Sequence, residues 1–203
     1  MRDLLLAGRG ERLDLPAYHA DLARAAGTAN GPVLRLERGQ VFREPDNPSW
    51  VAFEAGRWED ALRLAARPDP AADDILARLR RQGSELRRLR IVEFPPTAYL
   101  HWQLCVLRHR VAAGERVRVL NADTRTTAEA DQGSLPELVT VGDEVVYELL
   151  YDPTGTPVGA QRITDPQLVT RCRDHFTGLY QEAEEFGRFF ERRVAPLPPP
   201  ELV

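Results

Sequence analysis

The chain has 203 residues, of which 43% are hydrophobic and 29% are charged, and its formal net charge is −4. This balance is typical of a folded globular protein and argues against a disordered chain or a strongly basic nucleic-acid-binding protein. The 27 Lys and Arg residues are all arginines. Chemistry that needs a lysine amine, such as a Schiff base or a phosphate-loop lysine, is therefore excluded for this sequence.

The apolar runs predict neither a targeting segment nor a membrane span. The apolar stretch of residues 4–7 is too short for a signal peptide, and no run approaches the ~20 apolar residues that a membrane span needs. Cys105 and Cys172 match no metal-binding or redox spacing. We therefore expect a cytoplasmic protein with reduced, buried thiols.

The first part of the chain is predicted to be mostly helical. Asp14 is a suitable N-cap with Pro16 in the following turn, and apolar side chains then recur at helical spacing. An alternating apolar and polar stretch predicts one strand, which residues 41–42 extend or return. The predicted elements are a helix over 14–27, a strand over 33–38, and helices over 47–55, 58–66 and 69–82.

The second part predicts strands and helices in alternation. A strand, a long helix ended by Gly114 and a second strand form a βαβ unit, so these two strands should be parallel neighbours. Gly142 and Asp143 predict a hairpin turn. The predicted elements are strands over 89–93, 116–120, 138–141 and 144–151, a strand ending near 163, and helices over 97–113 and 164–194.

These elements predict an α/β fold, with an α+β arrangement as the alternative. We expect a mostly helical N-terminal region over residues 1–85 that packs, as one unit, with an α/β region over residues 86–195. Its mixed sheet should contain one βαβ unit, and a long C-terminal helix should follow. Residues 196–203 form a Pro-rich tail that we expect to be extended.

Polar and aromatic side chains are concentrated around the predicted βαβ unit. Ligands of α/β proteins bind at the carboxyl ends of such strands, where Glu93 and Tyr99 lie. We expect Arg118, on the neighbouring strand, to pair with Glu93. In the alternative, Tyr99 and Trp102 are core aromatics and Glu93 is a structural ion-pair partner. The candidate ligand- or partner-binding residues are Arg90, Glu93, Tyr99, Trp102 and Arg118.

A run of arginines crosses the junction between the two predicted regions. Arginine binds phosphate groups and carboxylates through paired hydrogen bonds. Such a run also occurs as a solvated face, neutralised here by the acidic residues at 182–191. Because the chain as a whole is acidic, we favour the solvated face and do not expect nucleic acid as a partner. This basic patch comprises Arg78, Arg80, Arg81, Arg87 and Arg88.

The sequence predicts no catalytic residues, metal or cofactor. Its three serines lie outside any Gly-x-Ser-x-Gly motif, and no glycine-rich loop precedes a helix in a phosphate-binding context. His101 and Cys105 have the spacing of two metal ligands on a helix, but no third ligand is apparent nearby.

Residues 90–103 and the Ala-Ala-Gly-Glu-Arg-Val-Arg-Val-Leu segment that ends at Leu120 resemble an actinobacterial family, the domain of unknown function DUF6879. Residues 53–56 and 164–166 also fit, so the resemblance covers most of the chain. Gln103 stands where family members often carry Glu, so we expect no role here that needs a carboxylate at that place. The matching residues are Arg90, Val92, Glu93, Pro95 or Pro96, Tyr99, Trp102, Gly114, Glu115 and Arg118.

The resemblance implies a partner protein, such as the helix-turn-helix regulators that tend to be encoded beside members of this family. The order of elements is also distantly similar to the phospholipase-D-like fold, whose active members use a His-x-Lys motif. Because the sequence contains no lysine, this similarity implies a catalytically silent version that binds.

Three functions are compatible with these features. We favour a non-enzymatic regulatory or protein-interaction protein of the bacterial cytoplasm. The alternative is a small-molecule-binding protein or enzyme with a pocket at the end of the βαβ unit. A third possibility is nucleic-acid binding through the arginine run. The oligomeric state is not predicted.

Overall fold

A mixed sheet of eight strands runs through the computed structural model, which describes residues 10–125 and 134–201. The apolar N-terminal run and the last two residues of the Pro-rich tail lie outside the described residues. The strands are β1 (Glu11–Asp14), β2 (Val33–Glu37), β3 (Leu86–Val92), β4 (Arg116–Asn121), β5 (Leu138–Val141), β6 (Val145–Tyr151), β7 (Pro157–Ile163) and β8 (Glu184–Glu185).

The strand order in the sheet is β1-β7-β6-β5-β2-β3-β4-β8. The neighbours β2, β3 and β4 are parallel, and the remaining pairs are antiparallel. The predicted parallel pairing of the strands on either side of Gly114 is therefore confirmed, and so is the α/β fold with a mixed sheet. The helices before β3 make a second crossover, between β2 and β3, that the sequence did not predict.

Most helices begin where the sequence supplies a side chain that accepts a backbone N–H. Asp14, Asn47, Asp69, Thr97 and Asp165 each cap a helix in this way. The helices are α1 (Leu15–Thr28), α2 (Pro48–Glu54), α3 (Trp58–Ala65), α4 (Pro70–Arg81), α5 (Ala98–Ala112), α6 (Pro166–Glu182) and α7 (Phe186–Arg193).

Helices cover both faces of the sheet. One face packs against α6, through residues such as Leu89, Ile91 and Phe176. The other face packs against α1 and α4 at one end and against α5 and α7 at the other. Helices α2 and α3 form an outer layer on α5. Strand β2, from the N-terminal region, lies in the middle of this sheet, so residues 10–85 and 86–195 share one sheet.

The prediction of one long C-terminal helix is wrong, because α6 and α7 are separate. Ala183 is extended (φ −79°, ψ 147°), and the two residues after it pair with β4 as the edge strand β8. The carboxylate of Glu185 then accepts the N–H of Arg188 and starts α7. The break lets the chain pass round the sheet edge, so that Phe186 packs with α5 on the face opposite α6.

Residues 41–42 do not extend or return a strand. The side chain of Val41 is 57% exposed, and the adjacent Arg43 N–H donates to the carbonyl oxygen of Gly155 in the β6–β7 turn. This segment therefore crosses the ends of the strands as a loop.

Charged side chains are buried in the middle of the sheet, under α5. Glu37 of β2 lies opposite Arg90 of β3, and Arg88 points to the same face because side chains alternate along a strand. Arg88 donates to the carboxylates of Glu37 and Glu115, and Arg90 donates to Oε1 of Gln103 at 2.8 Å. We call these five residues the buried ion cluster.

The cluster stabilises the charged form of its central carboxylate. Burial alone would raise the pKa of Glu37, but the positive charges of Arg88, Arg35 and Arg90 lower it to about 2. Glu37 thus contributes stability that is present above its ordinary pKa of 4.5 and is lost as the pH falls toward 2.

We expect Arg88→Met to destabilise the fold by about 3–5 kcal/mol, because it leaves two buried carboxylates without their shared cation. Arg81→Met is the matched control, since Arg81 is exposed, and it should change the free energy of unfolding by less than about 0.5 kcal/mol. Urea unfolding at pH 7 measures both. Equal effects of the two substitutions would contradict a stabilising role for the cluster.

Candidate functional site

The carboxyl ends of β2 and β3 are closed by the loop that follows β2. The side chain of Gln40 donates to the carbonyl oxygen of Ile91 at 3.0 Å and accepts the N–H of Glu93 at 2.9 Å. The backbone carbonyl oxygen of Gln40 accepts a hydrogen bond from the Thr97 hydroxyl at 2.7 Å. Arg90, beneath, donates to the carbonyl oxygens of residues 37, 39 and 91. These hydrogen bonds hold the loop over the carboxyl ends of the strands, where a ligand was expected.

The predicted pairing of Glu93 with Arg118 is wrong. Glu93, with its side chain 51% exposed, instead pairs with Arg38 at 2.7 Å. Arg118 lies opposite Leu89, four residues before Glu93 and so ~13 Å away along the strand. Arg118 donates to the backbone carbonyl oxygen of Tyr180 at 3.0 Å, and its guanidinium lies 5.0 Å from the centre of the Tyr180 ring.

Tyr99 and Trp102 lie in the interface between α5 and the outer helices. The Tyr99 hydroxyl donates to Oε1 of Glu44 at 2.7 Å. The Trp102 indole N–H donates to the hydroxyl of Ser49 at 2.9 Å, and that hydroxyl donates to the carbonyl oxygen of Ala61. Both are core aromatics, as in the alternative that the sequence left open.

The five candidate residues therefore do not converge on one site. Arg90 is 0% exposed in the buried ion cluster, and Trp102 is equally buried. Arg118 lies on the α6 side of the sheet, away from Tyr99. Of the five, Glu93 alone presents a largely exposed charge at the carboxyl end of the strands.

A further carboxylate, Glu137, lies beside this closed end and was missed in the sequence. One of its oxygens accepts the N–H groups of Arg38 at 2.8 Å and Gly39 at 2.6 Å. The other oxygen, Oε2, is buried without a hydrogen-bond partner among the described residues. Burial, with the charge of Glu37, raises the pKa of Glu137 to about 7. Glu137 precedes β5 in no recognisable motif, so only the folded chain brings it to the loop.

The structure divides the arginine run into exposed and buried members. Arg78, Arg80 and Arg81 are exposed at the end of α4, whereas Arg88 is buried. Arg87 is partly exposed and donates to Glu85 at 2.6 Å. The expectation that residues 182–191 neutralise the run is wrong, because Arg87 pairs with Glu85 and Arg88 pairs with Glu37 and Glu115.

Two exposed arginines of different elements meet at the amino-terminal ends of β3 and β4. Arg80 of α4 and Arg116 of β4 line a cavity of about 230 Å³ together with Ser84 and Glu85. We call these four residues and the glycines beside them, Gly83 and Gly114, the arginine cleft. The side chain of Arg116 is 70% exposed.

The backbone of the arginine cleft is built around Gly114. This residue has φ +104°, and a Cβ atom there would collide with the guanidinium of Arg80. Its small size lets Arg80 donate to the carbonyl oxygen of Ala113. The cleft is not uniformly basic. Burial raises the pKa of Glu85, but hydrogen bonds from Arg87 and Arg116 lower it overall and keep the carboxylate ionised.

Within residues 10–125 and 134–201, no cluster of three or more His, Cys, Asp or Glu side chains is arranged to hold a metal ion. No helix in the same ranges is both long and apolar enough to cross a membrane. Burial raises the thiol pKa of Cys105 and of Cys172 to about 11.

The comparison with protein families decides the identity of the chain at the family level. The model described as "Domain of unknown function (DUF6879)" matches residues 20–191. The chain belongs to this family. The DUF6879 match spans β2 to β8, the buried ion cluster and the arginine cleft. No curated protein matches the chain.

Two solved structures are similar to this DUF6879 chain. The first is TrmBL2, an archaeal chromatin protein with a novel mode of DNA binding. The similar region covers 88% of this chain and 54% of TrmBL2, with 13% sequence identity and a TM-score of 0.47. The second is NucT from Helicobacter pylori. The similar region covers 87% of this chain and 98% of NucT, with 9% sequence identity and a TM-score of 0.48. The chain thus spans about half the length of TrmBL2. At this level of similarity, neither protein informs the function of the DUF6879 chain.

We expect Glu137→Gln to remove a loss of stability that accumulates between pH 4.5 and about pH 7. A carboxyl whose pKa rises from 4.5 to about 7 on folding contributes stability that is present below 4.5 and is lost as the pH rises through 7. The free energy of unfolding of the amide variant should match that of the natural chain near pH 4 and exceed it by more than about 1 kcal/mol at pH 8. Urea unfolding at the two pH values tests this, and parallel pH profiles would contradict it.

We expect Tyr99→Phe to destabilise the chain more than Glu93→Gln. The first removes a donor from a part-buried carboxylate, at a cost of about 1–3 kcal/mol. The second weakens an ion pair of which one partner is half exposed, at a cost below about 1 kcal/mol. Thermal and urea unfolding rank the two variants. A larger effect of Glu93→Gln would show that the loop over the strand ends depends on this ion pair.

Proposed function

We propose that this DUF6879 chain is a non-enzymatic interaction protein, and that its arginine cleft binds clustered carboxylates of an acidic partner protein. The observation that carries this proposal is the convergence of Arg80 and Arg116, from two different elements, on one open cavity. Arginine offers several N–H donors in a fixed plane, which suits carboxylates. Arg80 donates one N–H to the carbonyl oxygen of Ala113, and no carboxylate among residues 10–125 and 134–201 pairs with it.

The loop after β2 closes the carboxyl ends of the parallel strands, which supports a binding site elsewhere on the protein. Arg90 and Tyr99, which a pocket there would use, are hydrogen-bonded to residues of the chain itself. Gln40 fastens the loop across this end. The alternative of a small-molecule site at the end of the βαβ unit would require this loop to open.

The charges around the cleft favour an acidic protein over nucleic acid. Glu85 lies among the arginines, and the chain carries a net charge of −4. A nucleic-acid strand presents a continuous row of phosphates, which an interrupted basic surface on an acidic protein attracts poorly. A protein segment with separate carboxylates can place them around Glu85.

The proposal includes two expectations from the family resemblance. The partner is a helix-turn-helix regulator or another protein of the bacterial cytoplasm. The distant phospholipase-D-like similarity is consistent with a silent binding version, since the sequence has no lysine for a His-x-Lys motif. Affinity purification of the chain from its native host, followed by mass spectrometry, would identify the partner.

We expect a synthetic Asp- and Glu-rich peptide to bind the natural chain, and the double variant Arg80→Gln/Arg116→Gln to bind it about tenfold more weakly, a loss of about 1.4 kcal/mol. Binding should weaken between 0.05 and 0.2 M salt, roughly as screening predicts for exposed charges. Isothermal titration calorimetry measures the affinities.

The matched control is Arg67→Gln/Arg171→Gln, which removes the same total charge from exposed positions outside the cleft. It should leave the affinity for the acidic peptide nearly unchanged. Equal losses in both double variants would mean that net charge, not the cleft, governs binding. Tighter binding of a DNA or RNA oligonucleotide than of the peptide, lost in the cleft variant alone, would favour nucleic acid as the partner.

A further inference from the structure

The Pro-rich tail lies against the body of the protein along one of its sides. After α7 the chain turns at Val194, whose carbonyl oxygen accepts the N–H of Leu197, and residues 198–201 have no regular secondary structure. Leu197 and Pro200 are partly buried, whereas residues 196, 198 and 199 are exposed. Residues three apart lie on the same side of a polyproline II helix, which has three residues per turn. The partial burial of Leu197 and Pro200, which are three residues apart, matches this spacing.

The tail meets an aromatic surface formed by α2 and α3. Phe53, Gly56 and Trp58 line a cavity of about 270 Å³ together with Pro200. The Trp58 ring is partly exposed and packs against His101, with ring centres 5.0 Å apart, and against Phe53 at 6.4 Å. A Cβ atom at Gly56 would meet no atom within 4 Å, so the surface is open on this side. The cavity beside Pro200 shows that the tail fills this surface only in part.

The chemistry of this surface suits a proline-rich segment. Aromatic rings form the grooves that recognise polyproline II helices, and a polyproline II backbone has carbonyl groups free of internal hydrogen bonds. The Trp58 indole is a hydrogen-bond donor. No group among the described residues 10–125 and 134–201 accepts its N–H, so this donor is available to a carbonyl oxygen of a bound peptide.

We propose that the surface of Phe53, Gly56 and Trp58 is a binding site for a proline-rich segment of a partner protein, and that the chain's own tail covers it in the absence of that partner. The tail supplies the kind of ligand that the site takes. A tethered ligand acts at an effective concentration of about 1 mM, so a partner segment must compete with it. The site lies on α2 and α3, away from the arginine cleft, and does not depend on the function proposed for that cleft.

The first test compares two adjacent prolines in the full chain. Pro200→Ser replaces the tail residue that lines the cavity at the aromatic surface, whereas Pro199→Ser makes the same chemical change on the exposed side of the tail. The indole N–H resonance of Trp58, assigned with a Trp58→Phe variant, is followed by NMR. Pro200→Ser should shift it and Pro199→Ser should not. An unchanged resonance in both variants would overturn the docking of the tail.

The second test measures competition with a synthetic peptide of residues 195–203. The Pro200→Ser chain should bind it saturably. If that affinity is about 0.1 mM, the natural chain and the Pro199→Ser chain should bind about tenfold more weakly, because their tails compete at about 1 mM. The peptide with alanine at its four prolines should not bind.

Three results would overturn the proposal. They are the absence of saturable binding to the Pro200→Ser chain, equal affinities in all three chains, and equal binding of the proline-free peptide. If the shift of the Trp58 resonance instead depends on protein concentration, the tail docks on a second copy, and the proposed covering within one chain is wrong.

Discussion

Two arginines on the central strand β3 point into the protein, and the fold depends on the groups that neutralise them. Helices cover both faces of this sheet, so a charge on either face of β3 is removed from water. Arg88 is held between Glu37 and Glu115, which come from β2 and from the segment before β4. Gln103 of α5 accepts from Arg90 and places its amide nitrogen 3.4 Å from Glu37. A carboxylate at position 103 would instead face Glu37, so the amide suits this cluster.

The same interactions decide which surfaces remain for binding. Arg90 holds the carbonyl groups of the loop after β2, and Gln40 completes the closure of the strand ends. Polar groups at the usual ligand-binding edge are thereby used within the chain. The opposite ends of β3 and β4 are different, because Arg80 and Arg116 reach an open cavity there. The proposed interaction sites accordingly lie at that end and on the outer helices.

Two wrong predictions share one physical cause, which is the three-dimensional path of the chain. The sequence placed Arg118 on the strand next to that of Glu93, but it gave no information on register, and Arg118 lies opposite Leu89. Apolar spacing continued through Ala183 into α7, yet the chain turns there to reach the other face. A periodic pattern specifies which side of an element is buried, and it does not specify against which partner.

The sequence by itself determined the α/β class, the parallel βαβ unit, most helix starts and the turn at Gly114, because periodicity, caps and glycine act locally. It also excluded lysine-dependent chemistry. Only the tertiary structure decided the roles of the candidate residues, since the partners of Arg88, Tyr99 and Arg118 are distant in sequence. The predicted strand began at Leu89, so Arg88 was assigned to the basic patch, whereas the observed strand begins at Leu86 and places Arg88 and Arg90 on one face. This face is buried because α5 covers it, which the strand sequence does not show. The groups that pair with the buried charges come from other elements, so they cannot be identified from the sequence of one strand.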